Sequence, residues 1–276
     1  MNDRQPIFSI IVASLNSSKT LESCILSFLN QSFQSKELIV VDGGSTDGSL
    51  GILKKYSKNI AHWESKSDRG LYHALNKGLK RANGDWIYFL GSDDIFYSSR
   101  VLETVHEHIQ NLPLSTSMVY GRVVHCAKDG CTIKISGEKS LRGRFSLSMP
   151  IDHQAVFHYR SLFEVYGVFD EKFKVISDLD HQLRLLFQYR IRPRFLPVTV
   201  AFHTHGGLST RSGNRFLIWK EAEQIRRKLG ISIPLSKRIY RLASAFFWAN
   251  LGRILEEDFA WRLDQKLLKL RKRISI

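Results

Sequence analysis

The chain has 276 residues, of which 43% are hydrophobic and 24% charged, and its formal net charge is +15. These proportions are ordinary for a soluble globular protein. No stretch approaches the roughly 20 apolar residues that a membrane-spanning helix needs, and the N-terminal residues do not have the pattern of a secretory signal. Three cysteines in irregular spacing favour free thiols in a reducing cytoplasm over a disulfide between Cys126 and Cys131.

The positive charge is concentrated at the C-terminal end of the chain. Residues 211–276 contain 16 lysines and arginines against 6 aspartates and glutamates, a net charge of +10, whereas the preceding 210 residues carry only +5. We therefore expect two parts with separate tasks, a globular domain over residues 1–210 and a basic helical extension over residues 211–276.

The first 112 residues alternate strand-like and helix-like segments. The helix after the first strand is predicted to begin at Ser18, which is a plausible N-cap. The alternation predicts an α/β domain with a doubly wound, mostly parallel sheet. Its predicted strands run from Phe8 to Leu15, from Lys36 to Asp42, from Ile60 to Glu64 and from Trp86 to Leu90.

Polar side chains recur where these predicted strands end. Ser14 lies at the end of the first strand, Asp42 ends the second, and residues 92–94 follow the fourth. Ligands bind outside the carboxyl ends of such strands, so the pattern predicts a nucleotide-sized site at one edge of the sheet. The adjacent carboxylates of Asp93 and Asp94 suit a hard divalent cation. The alternative is an aspartate-rich turn in which Asp94 caps the next helix.

The second half alternates less regularly. Residues 118–125 and 132–135 predict a hairpin or a mixed sheet, and residues 155–159 predict a further short strand. A helix is predicted from Ser177 to Arg190, and a strand from Arg194 to Phe202. From Ser212 onward the pattern is helical to the end of the chain.

These segments together resemble the family-2 inverting glycosyltransferases, which have the GT-A fold. The similarity runs from about Phe8 to Ser209, and it implies a doubly wound, mostly parallel central sheet with a smaller mixed sheet. Each motif alone is weak, but their order and spacing are specific. They are Val-Val-Asp-Gly-Gly-Ser-Thr-Asp-Gly at 40–48, Ser-Asp-Arg-Gly-Leu-Tyr-His-Ala-Leu-Asn-Lys-Gly at 67–78, Gly-Asp-Trp-Ile-Tyr-Phe-Leu-Gly-Ser-Asp-Asp at 84–94, His-Gln at 153–154, Gly-Val-Phe-Asp at 167–170 and Ser-Asp-Leu-Asp at 177–180.

The resemblance implies a nucleotide-sugar donor and a divalent cation, Mg²⁺ or Mn²⁺, that offsets charge on the leaving diphosphate. The Asp-any-Asp motif of the family corresponds to Ser92, Asp93 and Asp94, with serine in place of the first carboxylate. Asp94 is the expected metal ligand, and Asp93 is expected at the ribose or near the metal. His203 and His205 are further candidate ligands, although a structural role is the commoner one for histidines and their spacing matches no zinc signature.

The base and phosphates of a UDP-sugar, the first candidate donor, are expected at the other strand ends. By the resemblance, Asp42 accepts a hydrogen bond from the base, while Ser14 and Leu15 line that pocket. The family often has an aromatic residue in place of Leu15, so stacking on the base should be weaker here. Arg69 is a candidate phosphate contact or, alternatively, a solvated loop charge.

Inverting transfer needs a general base that removes the proton of the attacking hydroxyl. Asp178 corresponds to the family's base, ahead of a helix in the second half of the chain. Asp180 is the second candidate, about 200° further around the helix, and simple helix capping is the alternative for Asp178. His153 and Gln154 correspond to an acceptor-side segment. The acceptor is expected to be a saccharide or a lipid-linked hydroxyl.

Within the basic extension, residues 236–274 combine the aromatic residues 246–248, a leucine stripe and many cations. This mixture favours a helix lying in the headgroup region of an anionic membrane, which would place a cytoplasmic enzyme on the inner face of the cell membrane. The alternative is that these helices pack on the catalytic domain or form a homodimer.

Three other functions fit parts of the sequence. A pI near 9.8 suggests a nucleic-acid binder, but no basic face with interleaved stacking aromatics is found, and no nucleic-acid partner is expected. A nucleotidyltransferase would usually have a basic, glycine-rich loop after the first strand, which residues 14–18 are not. A non-catalytic tethering protein is disfavoured by the intact acidic set.

Overall fold

The computed structural model describes residues 5–127, 132–137, 151–204, 207–209 and 211–251. The chain divides into two compact units, residues 1–125 with 132–203 and residues 126–131 with 204–276. Cys131 and His205 lie outside the described residues, as does the predicted tail helix beyond residue 251.

The strands lie mainly in the first unit. They are β1 (Phe8–Ser14), β2 (Lys36–Asp42), β3 (His62–Ser65), β4 (Trp86–Phe89), β5 (Ile95–Phe96), β6 (Met118–Cys126), β7 (Thr132–Ser136), β8 (Val156–Tyr159) and β9 (Arg194–Thr204). The α-helices are α1 (Leu21–Leu29), α2 (Ser49–Lys55), α3 (Leu71–Leu79), α4 (Val101–Gln110), α5 (Ser161–Tyr166), α6 (Ser177–Leu183), α7 (Arg215–Lys228) and α8 (Leu235–Leu251).

Within the described residues, the strands form one nine-stranded sheet in the order β3-β2-β1-β4-β8-β6-β9-β5, with β7 paired to β6. The first four strands of this order are parallel, and Ser14 is in register with Asp42. β8 runs antiparallel to both β4 and β6. The α/β class with a parallel half is therefore confirmed, and the mixed strands continue the same sheet. The strand order reverses between β1 and β4, which is where ligands bind in doubly wound sheets.

The parallel strands are uniformly apolar because helices cover both of their faces. Alternate residues of β1 point to opposite sides, so that Ile10 packs in the cluster with α1 while Ile11 packs in the cluster with α3. All of these side chains are buried, and burying one contributes about 1.5–3 kcal/mol. The core therefore fixes the strand ends, and with them the polar residues that follow.

The predicted N-cap at Ser18 is wrong, and so is the alternative in which Asp94 caps a helix. α1 begins at Leu21 rather than after Ser18, because the amides of Thr20 and Leu21 donate to the Ser17 carbonyl in a preceding turn. Asp94 does not cap a helix, since the following residues form β5, and the next helix, α4, begins only at Val101.

The predicted helix from Ser177 to Arg190 is interrupted. α6 ends at Leu183, and the next residues, Arg184–Gln188, form a π-helix. Arg184 donates to the carboxylate of Asp180 at 2.9 Å and to the Tyr166 carbonyl at 2.6 Å, so its side chain ties this segment to the end of α5.

The second unit contains α7 and α8. Glu223 on α7 accepts hydrogen bonds from Arg226 on the same helix and from Arg238 on α8, each at 3.1 Å. These bonds lower the pKa of Glu223 despite the opposing effect of burial. Among the described residues, no helix combines the length and apolar character needed to cross a bilayer.

Candidate functional site

The loops that follow β1 and β2 are interlocked by hydrogen bonds. Five backbone amides donate from one loop to the other, and Asn16 takes a positive φ of 50° within this arrangement. The bonds run from Gly43 to the Ser14 carbonyl, from Asn16 to Ser45 Oγ, from Thr46 to Asn16 Oδ1, from Ser17 to Ser49 Oγ and from Ser18 to Asp47 Oδ2, at 2.7–3.0 Å. The first edge of the predicted site is therefore a single hydrogen-bonded unit.

Asp42 lies at the centre of this unit with its carboxylate fully buried. It accepts hydrogen bonds from the amides of Gly44 and Ser45 and from the hydroxyls of Ser45 and Ser65. Burial alone would raise the pKa of Asp42, but these four donors together lower it below its ordinary value. The carboxylate organises the loop after β2, and a nucleotide base would contact it only if a neighbouring group moved aside.

Beside Asp42, Leu15 presents an apolar surface to solvent, with 59% of the residue exposed, whereas Ser14 is buried. Gly43 lies beneath this surface: a Cβ there would stand 3.4 Å from a methyl carbon of Leu15 and 3.0 Å from Asp68 Oδ2. Glycine thus allows the loops after β1, β2 and β3 to approach closely. The exposed side chain of Leu15, next to Gly43, is suited to pack against a flat ring.

The acidic turn after β4 lies across the strand-order reversal from these loops. Ser92 Oγ is 2.9 Å from Ser17 Oγ, which joins the turn to the loop after β1. A Cβ at Gly91 would stand 2.5 Å from Asp94 Oδ2 and 2.9 Å from Asp93 Oδ1. Both carboxylates therefore pack over a position that only glycine can occupy without displacing them.

Asp94 is buried and hydrogen-bonds to His203 of β9, with Oδ1 and Nδ1 3.0 Å apart. Burial would lower the pKa of His203, but the charge and hydrogen bond of Asp94 outweigh burial and raise it. The ring of His125 lies edge-on to His203 at 5.5 Å. The Nε2 atom of His125 is 3.2 Å from the carboxylate of Asp152, and Ser136 also donates to that carboxylate. Sequence reasoning did not identify His125 and Asp152 as neighbours of His203.

Two protein side chains are available here to coordinate a divalent cation. In the parts of the chain that the structure describes, no three histidine, cysteine or acidic side chains are close enough to hold a metal by themselves. Asp94 and His203 provide one carboxylate and one imidazole. This limited set fits an ion that takes one or two protein ligands and completes its shell with diphosphate oxygens and water.

His153 and Gln154 lie beside β4. The ring of His153 stacks on Phe89 at 5.2 Å, and its Nε2 is enclosed by protein. Burial lowers the pKa of His153, while the charges of Asp178 and Asp94 oppose that shift, so both carboxylates act on this ring. The backbone of Gln154 is anchored by Tyr88 Oη, which donates to its carbonyl at 2.7 Å.

The two candidate bases differ in surroundings although they are two residues apart. Asp178, in the first turn of α6, is half-buried, and its Oδ1 accepts a hydrogen bond from Tyr72 Oη at 2.8 Å. Asp180 is fully buried and paired with Arg184. A base must reach a hydroxyl on a substrate, so this geometry favours Asp178 over Asp180.

Arg69, just before α3, forms a 2.6 Å ion pair with Glu171, while 68% of its side chain is exposed. Asn76 of α3 donates to the Phe169 carbonyl at 2.9 Å and accepts from the Phe169 amide at 3.1 Å. Together with Tyr72, these residues tie the helix to the segment that carries Asp178. Sequence reasoning placed Arg69 near the donor and did not identify the roles of Tyr72 and Asn76.

The sequence matches the glycosyl transferase family 2 profile over residues 9–160. A PGL/p-HBAD biosynthesis glycosyltransferase of Mycobacterium bovis is 34% identical over 237 residues, which cover 84% of this chain and 91% of that protein. An uncharacterized glycosyltransferase of Mycobacterium tuberculosis is 32% identical over 183 residues, covering 65% and 68% of the two chains.

Solved structures share the fold at lower sequence identity. Staphylococcus aureus TarS 1–349 in complex with UDP-GlcNAc matches with a TM-score of 0.62 and 19% identity, covering 87% of this chain and 71% of that one. The mannosyltransferase PcManGT of Pyrobaculum calidifontis, in complex with GDP-Man and Mn²⁺, matches with a TM-score of 0.59 and 16% identity, covering 97% and 81%.

Proposed function

We propose, since the chain belongs to glycosyl transferase family 2 and is a glycosyltransferase, that it moves a sugar from a nucleotide-sugar donor to a saccharide or lipid-linked hydroxyl with inversion. The observation that carries the proposal is the acidic turn of Asp93 and Asp94, which faces the interlocked loops across the strand-order reversal. This is where a donor diphosphate would lie between the two halves of the sheet.

A UDP-sugar is the proposed donor, as in the similar TarS structure that contains UDP-GlcNAc. Leu15 and Ser14 would line the base pocket, and Asp42 would hold the loop that closes it and accept a hydrogen bond from the base after a local shift. Ser92 and Asp93 would lie near the ribose. Arg69 would exchange its exposed pairing with Glu171 for a phosphate oxygen, which is a modest cost because exposed ion pairs contribute about 0.2–1 kcal/mol.

Asp94 is the proposed protein ligand of Mg²⁺ or Mn²⁺, with His203 beside it as a second donor atom. The ion, when bound, would offset the charge that develops on the diphosphate. The His125–Asp152 pair lies next to His203, with the two imidazole rings 5.5 Å apart.

Asp178 is the proposed general base. Its half-buried carboxylate can take a proton from an acceptor hydroxyl, whereas the carboxylate of Asp180 is fully buried and paired with Arg184. By the family resemblance, His153 and Gln154 would contact the acceptor or the diphosphate on the same side.

Metal-dependent donor binding tests the core of this proposal. Calorimetry with UDP and a panel of nucleotide sugars, with and without Mn²⁺, should give tight binding only with the metal. Asp94→Ala should remove the metal-dependent part of the affinity. Asp85→Ala is a matched control, because Asp85 directly precedes β4, at the end of the strand opposite to Asp94. Undiminished metal-dependent binding by Asp94→Ala would contradict the assignment, and binding of no nucleotide sugar would contradict the donor class.

The second unit is proposed to associate with anionic membrane surfaces on the cytoplasmic side. Several large apolar side chains of α8 are exposed, among them Ile239 at 58% and Phe246 at 64%. Lys237 and Arg241 lie on the same helix, so the helix combines apolar contact area with cations, as interfacial helices do. A lipid-linked acceptor would be presented at such a surface. The alternative occupant of this face is a second copy of the chain.

Liposome flotation separates these two occupants. The full-length protein should float with anionic vesicles at low salt and much less with neutral vesicles or at high salt. Phe246→Asp should reduce flotation, while Gln224→Asp, an exposed change of the same charge on α7, should not. If the protein stays in the soluble fraction with anionic vesicles at low salt, the membrane proposal is wrong. A dimer that Phe246→Asp dissociates would then identify the partner.

A further inference from the structure

We infer that Tyr72 is a positioning residue for the general base, a role that rests on the proposed function of Asp178. Tyr72 is buried, with 4% of the residue exposed, and its ring packs 5.4 Å from that of Phe169. Its Oη lies 2.8 Å from Asp178 Oδ1 and 2.8 Å from the Val175 carbonyl oxygen. One phenol therefore joins the first turn of α6 to the segment that leads into it.

Tyr72 is one part of a clamp formed by α3 and by Arg69, two residues before the helix begins. Asn76 pairs with the backbone of Phe169 through both its amide nitrogen and its amide oxygen, and Arg69 pairs with Glu171. The three contacts are spaced along the segment between α5 and α6, and Tyr72 forms the one nearest to the reacting group. The position of the base is thus set by a helix that begins directly beside the donor loops.

The hydrogen bonds of Asp178 identify which oxygen accepts the proton. Oδ1 accepts from the Leu179 amide at 2.9 Å, and it lies 2.8 Å from Tyr72 Oη, whose one proton is shared between Oδ1 and the Val175 carbonyl. Oδ2 is then the oxygen assigned to the acceptor hydroxyl. In the transfer step, Oδ2 takes the proton of the acceptor hydroxyl while that oxygen bonds to the anomeric carbon. The bond from that carbon to the diphosphate oxygen breaks, and its electron pair leaves with the diphosphate.

Tyr72→Phe tests the hydroxyl while keeping the ring and its packing. We expect kcat to fall about tenfold, because a base held less firmly spends less time aligned with the hydroxyl, while the donor Kd stays within about twofold of wild type. Tyr56→Phe is a matched control, since Tyr56 Oη also donates to a carboxylate, that of Glu22, at 2.8 Å. This control should leave kcat and donor Kd unchanged.

A double-mutant cycle separates positioning from a merely structural role. In the Asp178→Asn background, Tyr72→Phe should reduce the residual rate by less than twofold, because the base it positions is already absent. The same tenfold loss in both backgrounds would overturn the inference, and so would wild-type kcat in Tyr72→Phe. All rates are taken at least 10 °C below the melting point of each variant, because losing one hydrogen bond should lower the melting point of a chain of this size by about 2–4 °C.

The cycle also distinguishes the two proposals. Full activity of Asp178→Asn would overturn the assignment of the base and, with it, the role of Tyr72. An inactive Asp178→Asn combined with a fully active Tyr72→Phe would overturn only the positioning role.

Discussion

The two sides of the candidate site, one proposed to bind the donor and the other to carry the base, are held in place in different ways. On the donor side, the loops after β1 and β2 bond directly to each other, since their strands are neighbours and in register. On the base side, the segment between α5 and α6 is held by side chains of α3, which lie between 93 and 106 residues away along the chain. The donor side is therefore built from neighbouring loops, whereas the base side depends on a distant helix.

This difference indicates that donor binding and sugar transfer should be separable by mutation. A change in the interlocked loops should alter nucleotide affinity or stability, because those loops support one another. A change at Tyr72 or Asn76 should alter the rate of transfer at unchanged donor affinity, because these α3 side chains bond to the segment that carries the proposed base. The predictions below test that separation, starting with the largest effect.

Asp178→Asn should lower the transfer rate about 10²–10⁴-fold while donor affinity stays close to wild type, because the amide keeps the shape but cannot accept a proton. The measurements are steady-state kinetics and calorimetry with the donor. Proton NMR coupling constants of the wild-type product should show the inverted anomer.

Asp180→Asn is the companion to this variant, and it should act mainly on stability. Breaking its buried pair with Arg184 should cost about 3–5 kcal/mol of unfolding free energy. If Asp180→Asn folds normally and is inactive while Asp178→Asn still transfers, then the base lies two residues further along the chain.

Asp42→Asn should destabilise the protein by about 1–3 kcal/mol at pH 7, because four donors lose the charged oxygens they surround. The native pKa of Asp42 is lowered, so the stabilisation by the charged form is complete above the unfolded value of about 3.9. It is lost as the pH falls through the lower native value. Denaturant melts should therefore show the gap between variant and wild type closing below about pH 4. A gap that does not vary with pH would contradict this explanation.

Arg69→Ala locates the boundary between the two sides, because Arg69 stands between them. If it leaves Glu171 for a donor phosphate, its loss should weaken donor binding about threefold to tenfold, on the scale of a partly screened charge contact. Glu171→Gln serves as the control and should not weaken donor binding, because it only removes the ion pair that Arg69 gives up. Slower transfer by both variants at normal affinity would instead assign Arg69 to the base side.

Leu15→Phe should tighten UDP binding by a few-fold, since an aromatic contact adds about 0.5–1.5 kcal/mol beyond its area. Leu15 is exposed, so the larger ring has room. Calorimetry with UDP measures the effect, and unchanged affinity would mean that the base does not stack at this position.

The donor side was the more predictable half from sequence. The uniformly apolar runs of β1, β2 and β4 predict buried parallel strands, and the rule for parallel sheets then brings Asp42 and Asp94 to one edge. β5 gave no such signal, because two residues pair with a strand more than 100 positions later. The same holds for Tyr72: its position within a helix predicts a core residue, and nothing local predicts its bond to Asp178.

The five amides that cross between the loops after β1 and β2 have a consequence for native-state hydrogen exchange. Because each loop supplies acceptors for the other, the amides of Asn16, Ser17, Ser18, Gly43 and Thr46 should lose protection together, as one cooperative opening, and not one at a time. A bound nucleotide would slow that shared opening in proportion to its affinity. The exchange of these amides would then report donor occupancy directly in an unlabelled enzyme, before any acceptor for the sugar is known.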